Sequence, residues 1–105
     1  MTAYRSRKLL DLAHRVQECQ VRIPGVCRGY SEHGCEPAHS NQQRHGKGVG
    51  HKADDCYHAA ACHDCHVAID QGRKLSREDK QHYWRLGFER TFKLYLENGW
   101  LGVVV

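Results

Sequence analysis

The segment Cys62-His63-Asp64-Cys65 constrains this chain more than any other stretch. A C-x-x-C spacing turns the backbone tightly and aims both sulfurs at one point, where they can bind a single metal ion. A tetrahedral zinc needs two further ligands. Cys19 and Cys27 are the best placed, because they flank the turn signal Pro24-Gly25. Cys35 and Cys56 are the rivals, and each also reads as a buried, inert thiol. A C-x-x-C can equally be a redox motif, but that reading needs a surrounding βαβ pattern, which this chain lacks. Zinc on Cys19, Cys27, Cys62 and Cys65 is therefore the expectation. Four thiolates leave no open position for a substrate, so this zinc is structural.

A staple also suits the size. At 105 residues the chain is one domain, expected over 1–105, and a core this small is often marginal unaided. The start Met-Thr-Ala-Tyr-Arg-Ser-Arg-Lys is basic and has no apolar stretch after it, so no signal peptide is read there. There is no run of 18 apolar residues either, so no membrane partner is expected. The chain is expected in the cytoplasm with its thiols reduced, which again favours metal over disulfides. The net charge of +4 favours an anionic partner without proving one.

Periodicity places the elements. Leu9, Leu10, Ala13 and Val16 mark a short basic amphipathic helix over 6–16, capped by Ser6. Val21 and Ile23 alternate with polar residues, so a short strand, a turn at Pro24-Gly25 and a return are expected. Residues 28–55 are glycine-rich and read as a long loop. A strand is expected over 57–61 and a helix over 63–71, ended by Gly72. The core elements span about 17–72. The C-terminal helix, about 77–97, opens on a capping box at Ser76 to Asp79 and stops at Asn98-Gly99. Its stripe of Trp84, Phe88, Phe92 and Tyr95 belongs to the core rather than to base stacking. The apolar tail from Trp100 to Val105 should pack back on the domain or on a second copy in a homodimer.

The nine histidines are concentrated between His33 and His66, the stretch that also holds Cys35, Cys56, Cys62 and Cys65. His66 and Asp70 stand four apart, on one helix face, where an imidazole and a carboxylate can grip one divalent cation such as Mg²⁺ or Mn²⁺. Without the adjacent knuckle, a surface His–Asp pair worth little would be the better reading. His39 comes just before the glycines at 46, 48 and 50 of that loop, where a neutral imidazole could take a proton from water attacking a phosphodiester. In isolation it reads more readily as a structural histidine. Arg44, Lys47 and Lys52 in the loop are the expected phosphate contacts, although a charge run is most often a solvated face.

Three segments in order carry a resemblance: ECQVRIPGVC at 18–27, Ala38-His39, and ACHDCHVAID at 61–70. The chain resembles, over roughly residues 10–98, the YbcO-type family of small prophage proteins classed as candidate nucleases. That family in turn is similar to the HNH superfamily. The resemblance implies an α+β fold: a small zinc-stapled ββα-metal (HNH-like) core with flanking N- and C-terminal helices. It implies His39 as general base at the end of the first strand, with His66 and Asp70 holding the catalytic metal. Many HNH enzymes carry a further metal ligand just before the base, where this chain has Ala38. The middle Asn of the HNH name has no clear match: Asn41 lies too close to His39, so His51, Asp54 or Asp55 could support the base instead, and His58 could neighbour it. A DNA endonuclease of a bacterial host cell, encoded by phage or prophage, is the resulting expectation. The alternatives are a zinc-stapled nucleic-acid-binding module without catalysis, and a phage structural protein that needs zinc to fold.

Overall fold

The structure, a computed structural model, describes residues 3–105. In chain order it has helix α1 (Arg7–Asp11) running into a 3₁₀ turn (Leu12–Arg15), then strand β1 (Glu36–His39) and a second 3₁₀ turn (Gln43–His45). Strand β2 (His58–Ala61), helix α2 (His63–Asp70) and helix α3 (Arg77–Glu97) follow.

β1 and β2 pair antiparallel, with Glu36 opposite Ala61, Pro37 opposite Ala60, Ala38 opposite Ala59 and His39 opposite His58. Side chains alternate across a strand, so this register sorts the ribbon into two faces. Ala38, Ala59 and Ala61 pack with Cys62, Cys65 and Ile69 of the α2 region and with Trp84 of α3. On the other face, Ala60 packs with Ala13, Val16, Cys35 and Tyr95. All four β2 residues are buried, and the three alanines after His58 let layers approach from both sides. A two-stranded ribbon is marginal by itself, and here α3 closes it. The Thr91 hydroxyl accepts from Ala60 N at 3.0 Å and donates to Gly87 O at 2.7 Å, while Trp84 Nε1 donates to Ala38 O at 2.9 Å.

The helix signals act as the sequence predicts. The Ser6 hydroxyl accepts from Leu9 N at 3.2 Å and the Ser76 hydroxyl from Asp79 N at 3.1 Å. α3 ends at Asn98, and Gly99 follows at a φ of 72°. The first helix is shorter than expected, since its second half tightens into the 3₁₀ turn.

Three expectations need correction. No strand and return form around Pro24-Gly25. Val21 and Ile23 are buried as the alternation requires, but Arg22 sits at a φ of 58°, which breaks the extended run. The chain then curls, with Cys27 N donating to Ile23 O at 2.9 Å. The supposed loop contains β1, a strand of four residues with a proline in it and hence little β signature. The buried positions of α3 are Trp84, Gly87, Thr91 and Tyr95, whereas Phe92 is 49 % exposed. Gly87 decides this, because its bare backbone admits Val21: a Cβ there would meet Val21 Cγ2 at 2.7 Å.

The C-terminal tail packs back in part. Trp100 and Leu101 join the Tyr95 cluster, and Arg15 stands 5.4 Å over the Trp100 ring, while Val103, Val104 and Val105 are exposed. No helix among the described residues is long and apolar enough to cross a membrane.

Candidate metal centre and histidine–carboxylate pairs

Two distant segments deliver the cysteines. Cys62 caps α2 and Cys65 lies in its first turn, while Cys19 and Cys27 bracket the curled segment that packs against them. One ligand atom from each lies within 4.8 Å of every other, and among the described residues no other group of three or more His, Cys, Asp or Glu meets that condition. Backbone amides point at the sulfurs: Cys65 N donates to Cys62 Sγ at 3.5 Å, Arg28 N to the same sulfur at 3.4 Å, and Gly29 N to Cys27 Sγ at 3.2 Å. Such donors favour the charged thiolate. A hydrogen bond from Cys65 draws Cys19 down to about 4, and the same contact pushes Cys65 up. Burial raises Cys27. Four thiols this close can ionise together only around a cation, so the donor set fits a metal ion. Arg28 closes the rim of the knuckle with a two-pronged ion pair to Asp64 at 2.9 and 3.0 Å.

The rival thiols lie elsewhere. Cys35 is fully buried on the opposite face of the ribbon, and burial pushes it up to about 12, so it is an inert core residue. Cys56 is exposed and outside the cluster.

The histidines divide between the two ends of the ribbon. At the end away from the cysteines, His39 is the last residue of β1, and its Nε2 lies 2.9 Å from Asp55 Oδ1. The His39 side chain is 16 % exposed and that of Asp55 4 %. Burial pushes Asp55 up, but the His39 hydrogen bond, the Ser6 amide and the Lys52 charge outweigh it and hold the carboxyl below its ordinary value. Ser6 N donates to Asp55 Oδ2 at 2.8 Å, and Arg5 and Lys52 approach Oδ1 at 3.6 and 3.5 Å. His58 sits opposite His39, buried, with Nε2 2.9 Å from the Tyr95 hydroxyl and Nδ1 2.7 Å from Asp55 O.

At the other end, His66 lies between two carboxylates. Its Nδ1 is 2.7 Å from Glu36 Oε1, and its Nε2 is 3.1 Å from Asp70 Oδ2. His63 Nδ1 is 3.0 Å from Glu36 Oε2. The Asp70 hydrogen bond, the Coulomb pull of both carboxylates and the Glu36 hydrogen bond outweigh burial and raise His66 above its ordinary value.

The structure therefore brings together the four cysteines, His39 with Asp55, and His66 with Asp70. His39 and His66 do not meet: the ribbon's alternation puts His39 on the face opposite Ala38 and α2. His51 closes a separate turn with Gly48, its ring lying over that glycine. Asp54 packs beside Gly46 rather than against His39. Arg44, Lys47 and Lys52 are exposed. Sequence reasoning missed Glu36 and His63. Glu36 lay in the supposed loop, so no strand register linked it to α2.

Fold and site together define a small α+β protein whose described residues form a two-stranded ribbon, three helices and a cluster of four cysteines positioned to bind a metal ion. A family model described as "Putative nuclease YbcO" matches residues 8–100, and the chain belongs to that family. Two relatives, "Putative nuclease YbcO" of Escherichia coli (strain K12) and "Putative nuclease ybcO" of Enterobacteria phage 82, are each 44% identical over 67 residues. That match covers 59% of this chain and 62% of each relative, so the chain spans less than two thirds of their length. A solved structure titled "Structure of a putative bacteriophage protein from Escherichia coli str. K-12 substr. MG1655" superposes with a TM-score of 0.65 at 31% identity. It covers 85% of this chain and 98% of its own.

Proposed function

We propose that this protein is a metal-dependent endonuclease of the HNH (ββα-metal) class that hydrolyses phosphodiester bonds in DNA, within a bacterial host cell and of phage or prophage origin. The ion among Cys19, Cys27, Cys62 and Cys65 is zinc, held for folding, since four thiolates suit zinc and leave it no open site.

The observation that carries the reading is the His39–Asp55 pair at 2.9 Å, at the end of the first strand of a strand–strand–helix unit. An ionised carboxylate only accepts hydrogen bonds, so His39 Nε2 carries the proton and Nδ1 is left with its lone pair. That nitrogen takes a proton from the attacking water, and Asp55 stabilises the imidazolium that forms. Against its burial, the His39 hydrogen bond, the Ser6 amide and the Lys52 charge keep Asp55 ionised. His66, with a carboxylate on either edge of its ring, is the residue offered to the divalent cation, Mg²⁺ or Mn²⁺, which when bound would neutralise charge on the reacting phosphate. Arg44, Lys47 and Lys52 hold the flanking backbone.

A second reading, a zinc-stapled nucleic-acid-binding module without catalysis, draws on one observation: His39 and His66 lie on opposite faces of the ribbon. Incubating the zinc-loaded protein with plasmid and Mg²⁺ or Mn²⁺, with and without EDTA, separates the two. Metal-dependent nicking supports the endonuclease. An intact plasmid, with equally intact single-stranded DNA and RNA, moves the assignment to the binding module.

A further inference from the structure

We infer that Glu36, and not Asp70, is the carboxylate that joins His66 in holding the divalent cation, with His63 as the third donor and Asp70 as the residue that orients the His66 ring. This rests on the metal-dependent reading above and concerns where the cation sits.

An imidazole offers a metal one lone pair, and its two nitrogens face away from each other. Glu36 lies at His66 Nδ1 (2.7 Å) and Asp70 at Nε2 (3.1 Å). The two carboxylates therefore flank opposite edges of one ring and cannot both sit beside the nitrogen that binds the ion. One is a ligand and the other receives the remaining N–H, the usual division of labour around a metal-bound histidine.

The Glu36 edge is the richer in donors. It gathers a carboxylate from β1 and two imidazoles from α2, with His63 Nδ1 3.0 Å from the second Glu36 oxygen. His63 and His66 are three residues apart and share a helix face. The Asp70 edge offers only Asp70, one helical turn along the same element. Adjacent ligands of an octahedral cation with bonds of about 2.1 Å sit about 3 Å apart. The Glu36–His66 and Glu36–His63 spacings are already close to that, while the two imidazoles lie farther apart. His63 must turn inward to complete the set, because these donor atoms do not all lie within 4.8 Å of one another. Its side chain is 57% exposed and free to do so.

The register also accounts for Ala38. Glu36 lies two residues before it on the same strand, so its side chain emerges on the same face, the one that packs against α2. Ala38 itself is fully buried beneath Trp84, which donates to its carbonyl, and has no room for a ligand side chain. The strand thus supplies a carboxylate one pleat earlier.

The test is a Mn²⁺ titration of the zinc-loaded protein, followed by loss of the free-ion electron paramagnetic resonance signal. Mn²⁺ prefers oxygen and nitrogen donors and leaves the thiolate site to zinc. Zinc content and circular dichroism confirm that each variant is folded. Wild type should take up one Mn²⁺. Glu36→Gln should weaken binding by at least about tenfold, and His63→Ala should weaken it as well. Asp70→Asn should stay much closer to wild type, because the asparagine oxygen still accepts from Nε2–H. Loss of binding in Asp70→Asn with wild-type binding in Glu36→Gln overturns the assignment and returns the cation to the His66–Asp70 edge, leaving the nuclease reading intact. A wild-type protein that binds no Mn²⁺ overturns both. One that binds through Glu36 yet cuts no nucleic acid supports the site and sinks the nuclease.

Discussion

His39 Nε2 lies 2.9 Å from Asp55 Oδ1, at the end of the β1–β2 ribbon farthest from Cys62, although the two stand sixteen positions apart in the chain. The hydrogen bond sets the tautomer of the imidazole and the direction of its lone pair. His39→Ala should therefore reduce cleavage by about 10²–10⁴-fold, the usual loss on removing a general base. Asp55→Asn should lower the rate less, with zinc content and circular dichroism unchanged. Plasmid nicking by His39→Ala at the parental rate would remove His39 from the chemistry.

The four cysteines predict a folding dependence on metal. Elemental analysis should find one zinc per chain, and a strong chelator should abolish the far-ultraviolet helical signal, because metal-binding energy is folding energy in so small a domain. Cys65→Ser should behave like the chelated protein, whereas Cys35→Ala and Cys56→Ala should retain zinc. Full helicity after zinc removal would count against the staple.

Gly87 should tolerate no side chain. Its Cβ would lie 2.7 Å from Val21 Cγ2 and 3.0 Å from the Val21 Cα, so backbone as well as side chain must move. Gly87→Ala, normally stabilising in a helix interior, should instead cost about 1–3 kcal/mol by overpacking, read from urea unfolding midpoints.

Stability should fall on mild acidification. Burial is the main reason that His58 sits below its ordinary value of 6.5. The unfolded chain therefore binds this proton more readily than the folded one. Stability is constant above that value on this account and declines as the pH drops below it towards the depressed folded value. Urea midpoints at pH 7.5 and 5.5 should differ in wild type, and His58→Gln should show a smaller difference. Equal pH sensitivity in the two proteins would assign the decline to other groups.

Nucleic-acid binding should weaken as salt rises, since neutralised phosphates release counterions. Removing the exposed charges in the triple variant of Arg44, Lys47 and Lys52 to Ala should flatten the slope of log affinity against log salt by up to about three units. Affinity that does not change between 50 and 200 mM salt, roughly the range over which such contacts are lost, contradicts an electrostatic interface.

What could be read along the chain was local. The serine caps of α1 and α3, the Asn98-Gly99 stop and the C-x-x-C turn at the start of α2 act within a few residues, so they are visible in a linear reading. The pairing of that knuckle with Cys19 and Cys27 was also legible, because tetrahedral coordination demands two more ligands and these two cysteines flank the Pro24-Gly25 turn signal. Tertiary structure alone decided the rest. β1 has only four residues, one of them proline, and exists because β2 and α3 give its backbone partners. Its register then determines that Glu36 faces His66 while His39 turns to Asp55 on the other side. Gly87 moved the buried stripe of α3 off Phe92, since the nearest approach of Val21 fell on that one position. Side chains drawn from separate segments meet only when the chain closes, and a spacing pattern holds no information about that closure.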